Sequence, residues 1–484
     1  RPDKSCNKKA KKTLISLLKS PFVNSIIPKE QYFYANDSIS TTPIIGNLID
    51  YESIALWLAT GFFLDNNTFF KDVKVLRPSE SIKDGKPQGI NWSWHYSPKE
   101  MTLNQAVDEF QYLFEKIINK SIKNKNIVLP LSGGIDSRSI AASLKNKKNI
   151  NVISYEFQNG IKETDYAKEI AKQYKWNFNS FKIPKGYLWN TINTLSKINF
   201  CQTEFTHPRQ MAAINHFPKF GDLMILGHWG DVLFDSNNIN SGSSIHEQTK
   251  YIVKNIAKTG GIKLASELWA FWDIGGTFKE YLTNKIEELL TEIKIDSPKG
   301  RIRAFKSLNW APRWANVNTN VFKSVYDIIT PYYDDQMCKF ICTVPESLLK
   351  DRKIQIEYIK RKAPNLAKIR WQAYDLNLYN YKYYKSVFFP KRVKNYMKRL
   401  LNEKILNKPQ VIQRNWELQF LGEENDKNLK KILFETSELF DLVPKKTIEK
   451  FYQNFKTKDR LEYSHPISML LTLAIWCRDF WKKN

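Results

Sequence analysis

Residues Leu129 to Arg138 read L-P-L-S-G-G-I-D-S-R, and this stretch decides the fold. Asn126 to Leu131 is an apolar run of buried-strand length, and Ser137 to Lys145 continues with helical spacing, so the glycines sit between a strand and a helix. Two adjacent glycines let the backbone turn sharply and bring its N–H groups against an anion. Ser132 and Ser137 add hydroxyl donors, and the following helix points its positive end at the same place. The segment is predicted to cradle a pyrophosphate. It lacks the G-x-x-x-x-G-K-[ST] spacing and its lysine, so a kinase-like γ-phosphate site has no support.

Asp136 lies inside this cradle, where an unpaired carboxylate would repel phosphates. It makes sense if Mg²⁺ sits between them, because that ion is held by one or two carboxylates plus phosphate oxygens. A second acid is then expected at another strand end. Asp231, in L-G-H-W-G-D-V directly after the strand Leu223 to Leu226, is the candidate, since ligands of open α/β sheets gather at the carboxyl ends of strands.

Outward from the loop, strands and helices alternate, as in a parallel α/β sheet: Asn151 to Phe157 reads as a strand and Glu163 to Tyr174 as a helix. Upstream, apolar residues from Leu103 to Ile118 recur at helical spacing, and Leu48 to Ile82 reads as a helix, a break at Gly61, then turn and strand material. Beyond about residue 245 helical periodicity dominates. The expected organisation is an N-terminal region 1–100, a nucleotide domain 101–375 and a basic, mostly helical extension 376–484.

With 42% hydrophobic residues and 14% aromatics over 484 residues, the chain can fill real cores. No run of 18 apolar residues appears, and the lysine-rich N-terminus has no apolar signal segment, so a cytoplasmic protein is expected. Cys6, Cys201, Cys338, Cys342 and Cys477 form an odd set without metal-site spacing and read as small hydrophobes. A net charge of +26 suits a polyanionic partner, but richness in Lys, Asn and Ile also follows from an AT-rich genome, so charge alone decides nothing.

The segments resemble, in order, the asparagine synthetase family and its relatives, the β-lactam synthetases and lasso-peptide cyclases. L-P-L-S-G-G-I-D-S-R is similar to the family's ATP-pyrophosphatase loop, or PP-loop; I-S-Y-E-F at 153–157 to its adenine strand; E-T-D-Y-A-K-E-I-A at 163–171 to its D-E-x-x-A helix; and G-H-W-G-D-V at 227–232 to G-E-G-x-D-E. P-Y-Y-D at 331–334 with P-E-S-L-L at 345–349 resembles the P-F-L-D segment, and Leu48 to Ile82 the end of a β-rich Ntn glutaminase domain. The resemblance spans about residues 45–370 and implies an α/β PP-loop fold behind a truncated or degenerate glutaminase-like region. It implies ATP contacts at Leu131, Ser132, Gly133, Gly134, Asp136, Ser137, Phe157 and Gly227, and Mg²⁺ at Asp136 and Asp231. The implied chemistry is adenylation of a carboxylate, release of pyrophosphate and displacement of AMP by ammonia or an amine.

The departures narrow the expectation. Arg1 and Cys6 do not provide the N-terminal cysteine of a glutaminase, and too few residues precede Leu103 for a full domain of that kind, so in-chain glutamine hydrolysis is not expected. His228 stands where relatives carry the first Glu of G-E-G-x-D-E, a place for a general base with a reference pKa near neutrality. Val232 replaces the later Glu. The family lysine that follows the P-F-L-D segment falls near Arg352 to Pro364, with Lys353 and Lys360 as candidates. Tyr379 to Trp416 interleaves aromatics with Lys and Arg, which suits contact with the inner face of a membrane or an ordinary packed helix. The leading expectation is an amide-forming ligase acting on a small-molecule, sugar-linked or peptide carboxylate. An intramolecular lactam or peptide macrocyclase, a tRNA-modifying enzyme and a non-catalytic scaffold are the alternatives. The matches outside the loop turn the reading away from nucleic acid.

Overall fold

The computed structural model describes residues 22–35, 38–84, 86–157, 163–384 and 414–481, together with 393, 397 and 401. Cys6, the lysine-rich N-terminus and most of the Tyr379 to Trp416 stretch lie outside the described residues.

Five parallel strands form the central sheet: β1 (Ile127–Pro130), β2 (Ile150–Phe157), β3 (Asn177–Ile183), β4 (Leu223–Ile225) and β5 (Asp327–Ile329). Their order across the sheet is β5-β4-β1-β2-β3. The chain runs β1, β2, β3 in one direction and then returns to place β4 on the other side of β1. This reversal leaves a crevice between the carboxyl ends of β1 and β4, where such sheets bind ligands. The registers Val128↔Met224 and Leu129↔Val152 hold the three central strands level, so the loops after β1 and β4 leave the sheet side by side.

Among the helices, α1 spans Tyr51–Thr60, α2 Leu103–Ser121, α3 Ile135–Ser143, α4 Glu163–Gln173, α5 Tyr187–Asn199, α6 Lys353–Lys362 and α7 Arg460–Phe480. Asp50 caps α1, and Gly61 ends it at φ 86°, a left-handed position that glycine adopts without a Cβ penalty. Thr102 and Gln105 form a reciprocal capping box at α2, whose buried face is Ala106, Val107, Phe110, Phe114 and Ile118. The N-terminal region holds two small antiparallel sheets, Phe22–Val23 with Glu80–Lys83 and Lys86–Ile90, and Ser38–Ser40 with Phe33–Ala35 and Lys74–Val75. Its aromatics enter the same apolar cluster as the rest: the Phe69 ring lies 4.1 Å from Trp476 of α7.

The sequence pattern did not signal β3, β5 or α5, nor the π-helical stretch Lys306–Ala315. β3 reads N-F-N-S-F-K-I with a mostly polar face, and β5 has only three residues, too few to show a period. Cys201, Cys338, Cys342 and Cys477 are free and buried, as small hydrophobes are. Among the described residues no helix is long and apolar enough to cross a membrane.

Candidate active site

A pocket of about 340 Å³ opens at the crevice between β1 and β4. Leu131, Ser132, Gly134, Asp136 and Ser137 line it from the loop after β1, Gly227 and His228 from the turn after β4, and Ile153, Ser154 and Tyr155 from β2. Inside the loop the Ser132 and Ser137 hydroxyls lie 3.1 Å apart, and the Gly134 N–H donates to Ser132 Oγ at 3.2 Å. Gly134 precedes α3 without any side-chain cap, so the first N–H groups of the helix face the pocket.

The glycines are there for close approach. A Cβ on Gly133 would stand 2.6 Å from Gln372 Cβ, and one on Gly227 would stand 3.1 Å from the backbone of Asp136 and Ser137. Gly133 and Phe157 do not line the pocket. The Gly133 carbonyl accepts the Gln372 N–H, and the Phe157 ring lies beneath the Arg209 guanidinium at 5.6 Å. Arg138 is fully buried and ties the loop down from behind, donating to the carbonyls of Ile369 at 2.8 Å and Arg370 at 2.6 Å.

Asp136, in the first turn of α3, is the electrostatic centre. Desolvation pushes its carboxyl up to about 6; Arg352 opposes this, and the neighbouring charge of Asp231 adds to it. The Arg352 guanidinium bonds the Asp136 carboxylate, and Gln355 Nε2 donates to Asp136 Oδ1 at 2.9 Å and lies 2.6 Å from the Tyr332 hydroxyl. Asp136 lines the crevice and the exposed Asp231 of the turn after β4 lies within electrostatic reach of it, an arrangement that suits a divalent cation shared with phosphate oxygens. Among the described residues no three His, Cys, Asp or Glu side chains converge as a metal cage. The pair therefore fits Mg²⁺, which needs few protein ligands, and does not resemble a closed zinc site.

His228 lines the pocket, and its Nδ1 is buried without a hydrogen-bond partner. Desolvation holds the imidazole down to about 4 against the pull of Asp231, so the ring is neutral at physiological pH. It is therefore a weaker base than its reference pKa implies, although its free nitrogen is positioned to hydrogen-bond a ligand. Lys353 and Lys360 are not at the site. Lys353 Nζ donates to the Ser347 carbonyl at 3.0 Å, and Lys360 pairs with Glu357 at 2.8 Å. The cation that reaches Asp136 is Arg352, one residue before the expected lysine.

Two further residues were not anticipated. Arg209 lines the pocket and stacks over the rings of Tyr155 at 5.4 Å and Phe157 at 5.6 Å. Lys306 rests 5.8 Å over both Tyr251 and Trp310; desolvation lowers its pKa, opposed by the pull of Asp231. Neither lies in a motif, so no local pattern marks them.

Residues 111–292 match the family model Asn_synthase, asparagine synthase. No curated protein matches the chain. Among solved structures, an NMN synthetase from Francisella tularensis is similar at 17% identity over 43% of this chain and 93% of that one. Its TM-score of 0.22 is too low to support the fold, which rests on the strand order and the loop. The loop, Asp136, Asp231, His228 and Arg209 all fall within the matched segment, and the chain thus carries an asparagine synthase domain at residues 111–292.

Proposed function

We propose that the chain is an ATP-dependent, AMP-forming ligase that activates a carboxylate and joins it to nitrogen. The observation that carries this reading is that the Ser132–Ser137 loop and Asp136 line one pocket at the reversal of strand order, with Asp231 within electrostatic reach of Asp136. A carboxylate is a poor electrophile. Its attack on the α-phosphorus of ATP expels pyrophosphate and leaves an acyl-adenylate, whose carbonyl carbon then accepts ammonia or an amine with loss of AMP and a proton.

Each part of the site supports one step. The loop N–H groups and the N-terminus of α3 stabilise the departing pyrophosphate. Asp136 and Asp231 would hold Mg²⁺, which, when bound, neutralises charge on the phosphates. Arg352 and Gln355 fix the Asp136 carboxylate. The free Nδ1 of His228 is placed to bond the acyl group or the incoming nitrogen. The buried back of the loop, anchored by Arg138, keeps these groups in register.

The test is ATP–pyrophosphate exchange, screened over sugar-linked, amino-acid and peptide carboxylates with wild type and Asp136→Asn. Exchange that depends on one class of acid and fails in the variant supports the reading. Absence of exchange with every acid, or equal rates in the variant, refutes it.

A further inference from the structure

One carboxylate in the pocket has no part in the ligase steps. Glu163, the half-buried first residue of α4, lines the cavity. At about 340 Å³ that cavity has room for more than a pyrophosphate and falls in the range of small-molecule sites. Its lining is of two kinds. Ser132, Gly134 and Ser137 present hydroxyl and N–H donors that suit phosphates, while Ile153, Leu226 and Phe322 are buried and apolar and suit the flat face of a base.

Hydrogen bonds fix where Glu163 stands between them. Gln372 Nε2 donates to Glu163 Oε1 at 3.1 Å, and the Gln372 N–H donates to the Gly133 carbonyl at 3.2 Å, so one residue links Glu163 to the phosphate loop. The approach is close. A Cβ on Gly133 would stand 3.0 Å from Gln372 Oε1 and 3.1 Å from Cδ2 of Tyr166, a residue of the same helix as Glu163. The segment that carries Gln372 is itself anchored, since the Ile369 and Arg370 carbonyls accept from Arg138 and Arg370 pairs with Glu169 of α4 at 2.8 Å. Glu163 is thus beside the cradle, one side chain away from it, and not within it.

Oε1 of Glu163 is engaged by the Gln372 amide, and Oε2 has no hydrogen-bond partner among the described residues. An ionised carboxylate accepts hydrogen bonds and cannot donate them, so its complement is a donor, whereas a phosphate oxygen would repel it. ATP carries neutral donors in two places, the ribose hydroxyls and the 6-amino group of adenine. The amino group is at the end of the molecule farthest from the phosphates. The ribose joins phosphate to base, which is the position that the tie through Gln372 gives Glu163.

We propose that Glu163 binds the ribose of the nucleotide, its carboxylate accepting from the 2′- and 3′-hydroxyls, with Gln372 as the positioning residue that turns it toward them. This rests on the ligase reading above, because it requires ATP in the pocket. An acid that accepts a ribose hydroxyl is a recurrent device of nucleotide sites on parallel sheets. Its consequence here is a chain that discriminates against deoxynucleotides.

Isothermal titration calorimetry of the full chain with MgCl₂ and without any carboxylate measures binding of ATP, 2′-deoxyATP, 3′-deoxyATP and inosine triphosphate. Loss of a hydrogen bond to a charged group predicts that wild type binds each deoxynucleotide about 10-fold more weakly than ATP. In Glu163→Ala, ATP is expected to fall to the deoxynucleotide level, with the three adenine nucleotides within about twofold of one another. Glu163→Gln keeps the side-chain volume and one acceptor oxygen and is expected to retain part of the discrimination, so it carries the test if the alanine variant lowers the urea midpoint. Gln372→Ala is expected to reduce the discrimination without abolishing it. A role for Glu163 only in holding the Gln372 segment would weaken all four nucleotides alike and leave their ratios unchanged. That outcome, equal binding of ATP and the deoxynucleotides by wild type, or a Glu163-dependent preference confined to ATP over inosine triphosphate would overturn the proposal. Pyrophosphate exchange on the same wild-type sample separates the two readings. Exchange with equal binding of the deoxynucleotides refutes the ribose role alone. Glu163-dependent discrimination without exchange for any acid refutes the ligase reading and leaves the ribose site standing, and a chain that binds no ATP refutes both.

Discussion

Gly230→Ala is the sharpest test of how the two strand ends are joined. In a short helix this change ordinarily stabilises by about 0.5–1 kcal/mol, because alanine loses less backbone entropy on folding. Here a Cβ would stand 2.6 Å from Asp136 Cγ and 2.8 Å from Tyr332 Cζ, against 3.4 Å for the start of ordinary contact, shortfalls of 0.8 and 0.6 Å. Neither neighbour can give easily. Asp136 is held by Arg352 and by Gln355 at 2.9 Å, and Tyr332 is fully buried with its hydroxyl 2.6 Å from the same Gln355 amide nitrogen. Overpacking of this kind costs about 1–3 kcal/mol, and a displacement of nearly 1 Å in a reacting site costs roughly 100-fold in rate. Pyrophosphate exchange at saturating ATP and urea unfolding measure the two effects. Gly227→Ala, with contacts of 3.1–3.2 Å, is expected to lose only a few-fold, and Gly242→Ala, with nothing within 4 Å, to match wild type. If Gly230→Ala exchanges pyrophosphate within about threefold of wild type, Asp136 is not where the chemistry happens.

Asp231→Asn is expected to lower exchange by about 10²–10³-fold with little change in the urea midpoint, the behaviour of a charge that acts on the reacting phosphates. Arg352→Met leaves the half-buried Asp136 without its cation and is expected to destabilise by about 1–3 kcal/mol in urea unfolding. Lys353→Ala and Lys360→Ala remove surface contacts and are expected to change exchange by less than about twofold. His228 has its pKa depressed to about 4 by desolvation, so between that value and the unfolded 6.5 the folded chain binds fewer protons than the unfolded one. The stability this contributes is present in full above pH 6.5 and is lost as pH falls toward 4, by up to about 3 kcal/mol. His228→Gln is expected to flatten that part of the acid limb in urea melts across about pH 7 to 5, and equal slopes would refute the assignment.

The parts of the site that are contiguous in sequence were legible. The loop after β1 announces itself because strand, glycine pair, hydroxyls and helix start all lie within ten residues, and the alternation of periods on either side places it at the carboxyl end of a strand in a parallel sheet. Asp231 could be put forward as a candidate because the end of β4 could be read. Arg209, Lys306 and Gln355 were not, since each acts through neighbours distant in the chain. The strand order itself was hidden as well. β5 pairs with β4 across about a hundred intervening residues of helix, and three-residue strands carry no period.

The misplaced lysine has a physical explanation that lies in the backbone. Asp351 and Arg352 both adopt left-handed φ of 59°, and Trp229, between His228 and Gly230, sits at 76°. Such positions cost non-glycine residues about 1–3 kcal/mol each and persist only where surrounding contacts hold them. The contacts are present: Trp229 Nε1 is 3.2 Å from Ser307 Oγ, and Arg352 Nε donates to Gln355 Oε1 at 2.7 Å. The left-handed pair turns the chain just before α6, which aims Arg352 inward at Asp136 and sends Lys353 and Lys360 outward on the helix that follows. A reading that counts residues from a motif assumes a helix already begun and so selects Lys353. The reversal one residue earlier makes Arg352 the inward-facing cation, and its fixed guanidinium grips a carboxylate and an amide together, which a lysine ammonium in the same place would do with less geometric definition.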